Sequence, residues 1–226
     1  MCGRYVSPDE ATLEREFNLV HMEWQFPGSF NVAPTQEVPV IRMRKGVRQG
    51  VRLRWGLIPY FAQGVAPKYS TINARIETVR SAPAFRGAWS RGQRCLVAAC
   101  GFYEWQTPPD GAARVPYYIH LNDQQVFAFA GLWDASRTAQ GTWIESCVHI
   151  TMPANRLVSE IHNTQRRMPA ILAREDREAW LSGSADDAWA VLKPYPDEHM
   201  VAWPVSARVN KPANDDAQLI EPLEAA

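Results

Sequence analysis

The chain has 226 residues, 46% of them hydrophobic and 21% charged, and its 24 basic side chains balance 24 acidic ones. That apolar content, with nine Trp, seven Tyr and eight Phe to fill a core, excludes a disordered polymer, and no apolar run approaches the ~20 residues of a membrane-spanning helix. β-rich folds reach roughly 250 residues as one unit, so the expectation is a single domain over residues 1–226.

The opening Met1-Cys-Gly-Arg-Tyr5 lacks the apolar stretch of a signal peptide, which points to a soluble cytoplasmic protein. Ser7-Pro8-Asp9-Glu10 reads as a helix start, with Ser7 as cap, Pro8 as first helical residue and Glu10 three residues after the cap; Leu13 and Phe17 then share a face. Val38–Ile41 and Val51–Trp55 flank a polar turn and predict a hairpin. From Gly56 to Ala84 the chain is irregular and rich in Pro and Gly, and long loops of this kind are often functional. Strands are expected at Gln93–Trp105, Pro116–Leu121, Val126–Trp133 and Thr142–Thr151, paired consecutively and antiparallel. Helices follow at Ala154–Ile161, near Glu175–Leu181 and at Ala185–Leu192, the last with Ser184 as cap and Asp187 three residues on. The tail from Trp203 to Ala226 reads as extended. The fold class is α+β: a bent or barrel-like antiparallel sheet with peripheral short helices.

Charge is unevenly spread. Between Arg42 and Arg94 twelve basic residues face one acid, Glu77, and 20 of the 24 basic residues of the chain are Arg. The guanidinium fork suits phosphate oxygens, so this segment fits a polyanion; a strand pair with Arg on its solvent face explains it equally well.

Four cysteines, Cys2, Cys95, Cys100 and Cys147, form neither a Cys-x-x-Cys pair nor a zinc-spaced cluster, so no metal or organic cofactor is expected. Cys95, Cys100 and Cys147 lie in apolar runs and read as core. Cys2 differs. Once Met1 is trimmed it carries an α-amine and a thiol on adjacent carbons, and an amine with reference pKa of about 7.7–8.0 is partly neutral at physiological pH. Such an amine condenses with an aldehyde to a Schiff base, and the thiol then closes on the imine carbon to a thiazolidine. The same pair also suits an N-terminal nucleophile that cleaves amides, and a Cys at position 2 need have no function at all. Glu104 ends an apolar strand, where burial would make it a general acid or base, although a strand-end Glu often faces solvent. His162 ends a helix, where it serves either as catalyst or only as dipole partner. Asn73 orients a substrate or holds a turn. His21, His120, His149 and His199 carry no assigned chemistry.

Taken together, eight stretches carry more information than any one residue. They are Met1-Cys-Gly-Arg-Tyr5, Phe30-Asn-Val-Ala-Pro34, Trp55-Gly-Leu-Ile-Pro59, Ile72-Asn-Ala-Arg-Ile-Glu-Thr78, Cys100-Gly-Phe-Tyr-Glu-Trp105, Ala130-Gly-Leu-Trp133, His162 with Arg167-Met-Pro169, and Val209-Asn210. In this order they resemble the SOS-response-associated peptidase (SRAP) family, whose members covalently trap abasic sites in single-stranded DNA, over nearly the whole chain.

The resemblance implies the SRAP fold and assigns roles by position. Cys2 would be the nucleophile, and Asn73, Glu104 and His162 the pocket around it. Arg4 and Arg75 would hold phosphates and Trp105 would stack near the lesion. Tyr60 or Phe61 would be a base-stacking wedge, where Trp is frequent in relatives. Pro83 stands about where some members carry a phosphate-binding Arg, a role left to Arg80 or Arg86. The expected partner is single-stranded DNA with abasic sites, bound by a monomer in the cytoplasm or on the nucleoid. Lyase-type Schiff-base chemistry and autocatalytic removal of Met1 are implied alongside crosslinking, with a thiol peptidase or an inert binding module as alternatives.

Overall fold

The computed structural model describes residues 2–19 and 25–223; Met1 and His21 lie outside them. In chain order the elements are β1 (Tyr5–Ser7), α1 (Glu10–Phe17), β2 (Ser29–Val32), β3 (Glu37–Arg44), β4 (Val47–Trp55), β5 (Asn73–Arg75), α2 (Pro83–Ser90), β6 (Arg94–Ala99) and β7 (Gly101–Gln106). They continue with β8 (Val115–Leu121), β9 (Phe127–Arg137), β10 (Trp143–Pro153), α3 (Arg156–Ile161), β11 (Arg167–Pro169), β12 (Ile171–Leu172), α4 (Arg177–Ser182), α5 (Ala185–Ala190) and β13 (Met200–Pro204).

Two sheets form. The larger closes on itself, because β10 pairs with β4, β4 with β3, β3 with β6, β6 with β9, and β9 returns to β10. Closure removes the open edges that make sheets associate. The smaller runs β13-β8-β7-β1-β2. The expected barrel-like sheet with short peripheral helices is therefore what forms, though not purely antiparallel: β10 runs parallel to both β4 and β5.

Several local expectations are corrected. Asp9, not Ser7, caps α1, its carboxylate accepting from the Thr12 amide at 2.8 Å, because Ser7 is taken into β1. Leu13 and Phe17 do share the buried face. The run Gln93–Trp105 is two strands in different sheets: at Cys100 the chain leaves β6, and the Cys100 amide donates to Val6 O at 2.8 Å. Gly101 permits the crossing, since a Cβ there would lie 2.3 Å from the Tyr118 ring. Consecutive pairing consequently fails between β6 and β7 and between β8 and β9, whereas β7–β8 and β9–β10 do pair. The tail is not simply extended: after β13 it makes 3-10 turns at Ala207–Asn210 and Ala217–Ile220. Ser184 and Asp187 form the capping box that the sequence predicts.

The main core fills the barrel and the face it shares with the small sheet. Tyr5 stands edge-on to Trp55 (5.3 Å) and to Phe129 (5.8 Å), tying β1 to the barrel. A second cluster, Val6, Tyr103, Tyr118, Val205, Val209 and Leu219, seals the other face of the small sheet beneath the C-terminal tail. Cys95 and Cys147 are core residues as expected; Cys100 is only half-buried.

His149 is the odd member of this core. Its fully buried ring packs against Trp55 (5.2 Å) and Phe129 (5.3 Å), and neither nitrogen has a hydrogen-bond partner among the described residues. Burial pushes its pKa down to about 3. Because the unfolded chain protonates near 6.5, stability is held above that pH and is lost as pH falls toward about 3. We expect His149→Ile to gain on the parent by about 2 kcal/mol more at pH 5 than at pH 7.5. Urea unfolding at both pH values reads this; an equal gap at the two would contradict it.

Candidate functional site

The site forms where the small sheet meets the barrel. Tyr5 pairs with Phe102 and Val6 with Gly101, and the Tyr103 amide donates to Arg4 O at 3.0 Å. Continuing that antiparallel register carries residues 3 and 2 alongside Glu104 and Trp105. Opposite them stands Asn73, held in the barrel by parallel pairing of β5 with β10, His149 beside Asn73 and Thr151 beside Arg75. The Asn73 side chain donates through Nδ2 to Cys2 O at 2.9 Å, while its buried Oδ1 has no hydrogen-bond partner among the described residues. One strand of each sheet thus fixes the Cys2 backbone.

Cys2 is 1% exposed and its thiol donates to Arg4 O at 3.6 Å. Burial, reinforced by Glu104, pushes its pKa well up, so the thiol is kept protonated. Glu104 is 2% exposed, and one of its oxygens is buried without a hydrogen bond among the described residues. Burial lifts its pKa to about 8, so the carboxyl keeps its proton at neutral pH. His162 follows α3 as its C-terminal cap, with Nδ1 3.6 Å from Glu104 and 2.9 Å from Arg167 O. A carbonyl only accepts, so Nδ1 carries the proton and Nε2 the lone pair. Burial lowers the His162 pKa and keeps the ring neutral. The pocket therefore joins a neutral thiol, a protonated carboxyl and a neutral imidazole: an acid and a base at one place.

A basic and aromatic rim borders it. Arg4 donates to Gly3 O and to Asn210 O, and the Trp105 indole donates to Asn210 Oδ1 at 2.8 Å. Asn31 in turn holds this part of the tail, its amide donating to the carbonyls of Val209, Lys211 and Asn214. The motif residues Asn31 and Asn210, singled out in the sequence but given no role there, thus position Arg4 and Trp105. We expect Asn210→Ala to cost about 1 kcal/mol and to speed hydrogen exchange of the Trp105 indole N–H, measured by NMR; unchanged exchange would contradict the tether.

The remaining candidates separate. Arg75 is exposed beside Asn73 and has no ion pair among the described residues. Tyr60 and Phe61 project from a 3-10 turn at 55% and 54% exposure, edge to face at 5.4 Å. Asp134 accepts from the Tyr60 amide and from Arg91, whose guanidinium lies over the Tyr60 ring. Of the two proposed substitutes for an Arg at Pro83, Arg80 packs on the Trp189 ring at 4.3 Å and lies 3.8 Å from the exposed Asp186, and Arg86 is exposed on α2. Pro83 itself opens α2.

The basic segment divides likewise. Arg42 is 2% exposed and bidentate on Glu145, and Arg94 is buried against Trp180 O and Gly183 O, so neither lines an open groove. Arg167, in the Arg-Met-Pro motif, is bidentate on Glu77 (2.5 and 3.0 Å) and also donates to Thr151 O. Sequence reading counts Arg91 in the basic segment but has no signal for Asp134 or for its pairing with Arg91, a contact across more than 40 residues.

Fold and site together define a class: a closed β-barrel with an appended sheet whose seam encloses the second residue, a cysteine, beside a buried carboxyl–imidazole pair. Comparison with known proteins gives that class its name. The model of the SOS response associated peptidase (SRAP) family matches residues 1–212, and the chain belongs to that family. It is 37% identical over 228 residues to abasic site processing protein YoqW of Bacillus subtilis, covering 98% of this chain and 99% of that one. It is 30% identical over 234 residues to abasic site processing protein HMCES of Gallus gallus, covering 89% of this chain and 68% of the other. A crystal structure of a protein from Bacteroides thetaiotaomicron superposes with a TM-score of 0.87 at 27% identity, covering 99% of this chain and all of that one. One from Bordetella bronchiseptica gives 0.79 at 30% identity, covering 91% of this chain.

Proposed function

We propose that this chain processes abasic sites in single-stranded DNA by trapping them covalently on Cys2 after Met1 is removed. The observation that carries the reading is the enclosure of Cys2 by Asn73, Glu104 and His162, with Arg4 and Trp105 held at the rim. The relatives named for abasic site processing support the lesion class.

The reaction follows from the protonation states. An abasic deoxyribose opens to an aldehyde at C1′, and the neutral His162 moves a proton at the ring oxygen. The Cys2 amine adds to C1′, and Glu104, protonated at neutral pH, donates to the departing hydroxyl so that water leaves and the C1′=N bond forms. The thiol sulfur then bonds to C1′ of this iminium while its proton passes to the Glu104 carboxylate, giving a neutral thiazolidine and restoring the carboxyl. A protonated thiol suits this step, because its proton replaces the one that Glu104 gave to the departing water. The net change is one C–N and one C–S bond formed and one water released. Asn73 Oδ1, buried without a hydrogen-bond partner among the described residues, would accept a hydrogen bond from the Cys2 nitrogen or the sugar. Ring closure removes the iminium that drives β-elimination, so the strand stays whole.

The test mixes protein verified to begin at Cys2 with a single-stranded oligonucleotide carrying one abasic site, or with the undamaged strand. A heat-stable adduct on a denaturing gel, formed with the damaged strand alone, is the expected result. No adduct would overturn the reading and put thiol-peptidase activity in its place.

A further inference from the structure

One surface groove is left unused by this chemistry. It has a volume of about 760 Å³ and is lined by Tyr60, Trp133, Trp143, Arg44, Arg91 and Arg137, with Asp134 and Glu145 among its other residues. Trp143 is 62% exposed and, with Trp133 and Tyr60, supplies the aromatic lining of the groove. Guanidinium groups stand beside the rings, Arg91 over Tyr60 at 4.5 Å and Arg137 6.0 Å from Trp143, while Arg42, buried and outside the lining, packs on Trp133 at 4.3 Å. Both acidic side chains are already engaged, Asp134 by Arg91 and Glu145 by Arg42. Arg44 and Arg137 have no carboxylate partner among the described residues, so the groove presents net positive charge.

Aromatic faces beside unpaired arginines suit stacked bases with phosphates between them, which is the general chemistry of single-strand binding. An apolar peptide or acyl chain would leave those guanidinium groups desolvated and unpaired. The groove lies on the same strand, β10, that positions the lesion pocket. Tyr60 lines it, and β10 runs from Trp143 at the groove to His149 and Thr151, which flank Asn73 and Arg75. Six residues along a strand set the two apart by about 20 Å.

We propose that this groove is a second DNA subsite, which takes the single strand flanking the trapped lesion beyond the Tyr60–Phe61 edge, with bases on Trp143 and Trp133 and phosphates on Arg44 and Arg137. The proposal rests on the abasic-site reading above and extends it to nucleotides remote from the chemistry.

The test uses the full chain and the double variant Trp143→Ser/Arg137→Ser, both positions being on an exposed hairpin away from Cys2, with unchanged thermal unfolding as the folding control. Strands of roughly five and roughly twenty-five nucleotides, each with a central abasic site, separate occupancy of the pocket from occupancy of both subsites, given single-strand site sizes of about 4–16 nucleotides. On the short strand the double variant is expected to crosslink at the parent rate. On the long strand its half-saturating concentration rises about tenfold, and Arg44→Ser/Arg137→Ser lowers the slope of log affinity against log salt by about 1.4. Trp143→Phe, which keeps a stacking face, restores most of the loss. Equal behaviour of parent and double variant on the long strand would overturn the subsite. If the parent crosslinks neither strand, the abasic-site reading fails instead. Anisotropy with the undamaged long strand at low salt still reads the groove in that case: weaker binding by the double variant upholds it, and equal binding rejects it.

Discussion

Cys2→Ser is expected to abolish the heat-stable adduct, reducing its yield by roughly two orders of magnitude or more, while leaving binding of the strand nearly intact. The substitution keeps the N-terminal amine, the Asn73 hydrogen bond to the residue 2 carbonyl and the whole rim, so a Schiff base still forms. What it removes is the sulfur that closes on C1′, and a serine hydroxyl is a far weaker nucleophile than a thiol. The open imine then partitions toward β-elimination or hydrolysis. The prediction therefore has two parts on one gel: loss of the slow-migrating adduct and gain of cleaved strand. Persistence of a heat-stable adduct at wild-type yield would place the bond on another residue.

Glu104→Gln has opposite effects on activity and stability. Burial lifts the carboxyl to about 8 from an ordinary 4.5, so the folded state holds a proton that the unfolded state releases at neutral pH. The resulting cost is absent below pH 4.5, grows as pH rises and levels off above about 8. At pH 7 it amounts to about 3 kcal/mol. An uncharged amide of the same shape escapes most of it, so Glu104→Gln should unfold several degrees higher at pH 7.5, at roughly 2–4 °C per kcal/mol for a chain of this size, and match the parent near pH 4.5. The same change removes the proton donor for water loss, and adduct formation should slow by about 10²–10⁴-fold. The pH profile sharpens the assignment. In the parent, the rate should fall above about pH 8 as Glu104 ionises, whereas in the variant that limb disappears. A variant that is slower but no more stable would deny the carboxyl its buried, protonated state.

Much of this site was legible in the sequence because it is written in short local words. Cys2, Asn73 and Glu104 each sit in a contiguous motif and His162 is separated by four residues from Arg167-Met-Pro169, and the hairpin β3–β4 and the Ser184 capping box follow from residues a few positions apart. What was not legible depends on distant contacts. Periodicity sees Gln93–Trp105 as one apolar run; only the Val6 carbonyl and the Tyr118 ring, far away in sequence, break it at Cys100 and send the second half to another sheet. Ser7 is as good a helix cap as Asp9 until β1 claims it for pairing with β2. Arg42 and Arg94 look like surface charge, yet Glu145 and the carbonyls of Trp180 and Gly183 hold them inside. Asn210 stands in a recognised pair of residues, but its work, holding Arg4 and Trp105 at once, exists only after the tail folds back across the small sheet.

The most direct test of the central claim is peptide mass spectrometry of the adduct formed without any reductant. Trypsin cuts after Arg4, so the account predicts that the modified sugar is carried by the N-terminal peptide Cys2-Gly3-Arg4, with one water lost and with a thiol that no alkylating agent can reach. A modification on any other peptide, or a Cys2 thiol still open to alkylation within the adduct, would contradict it.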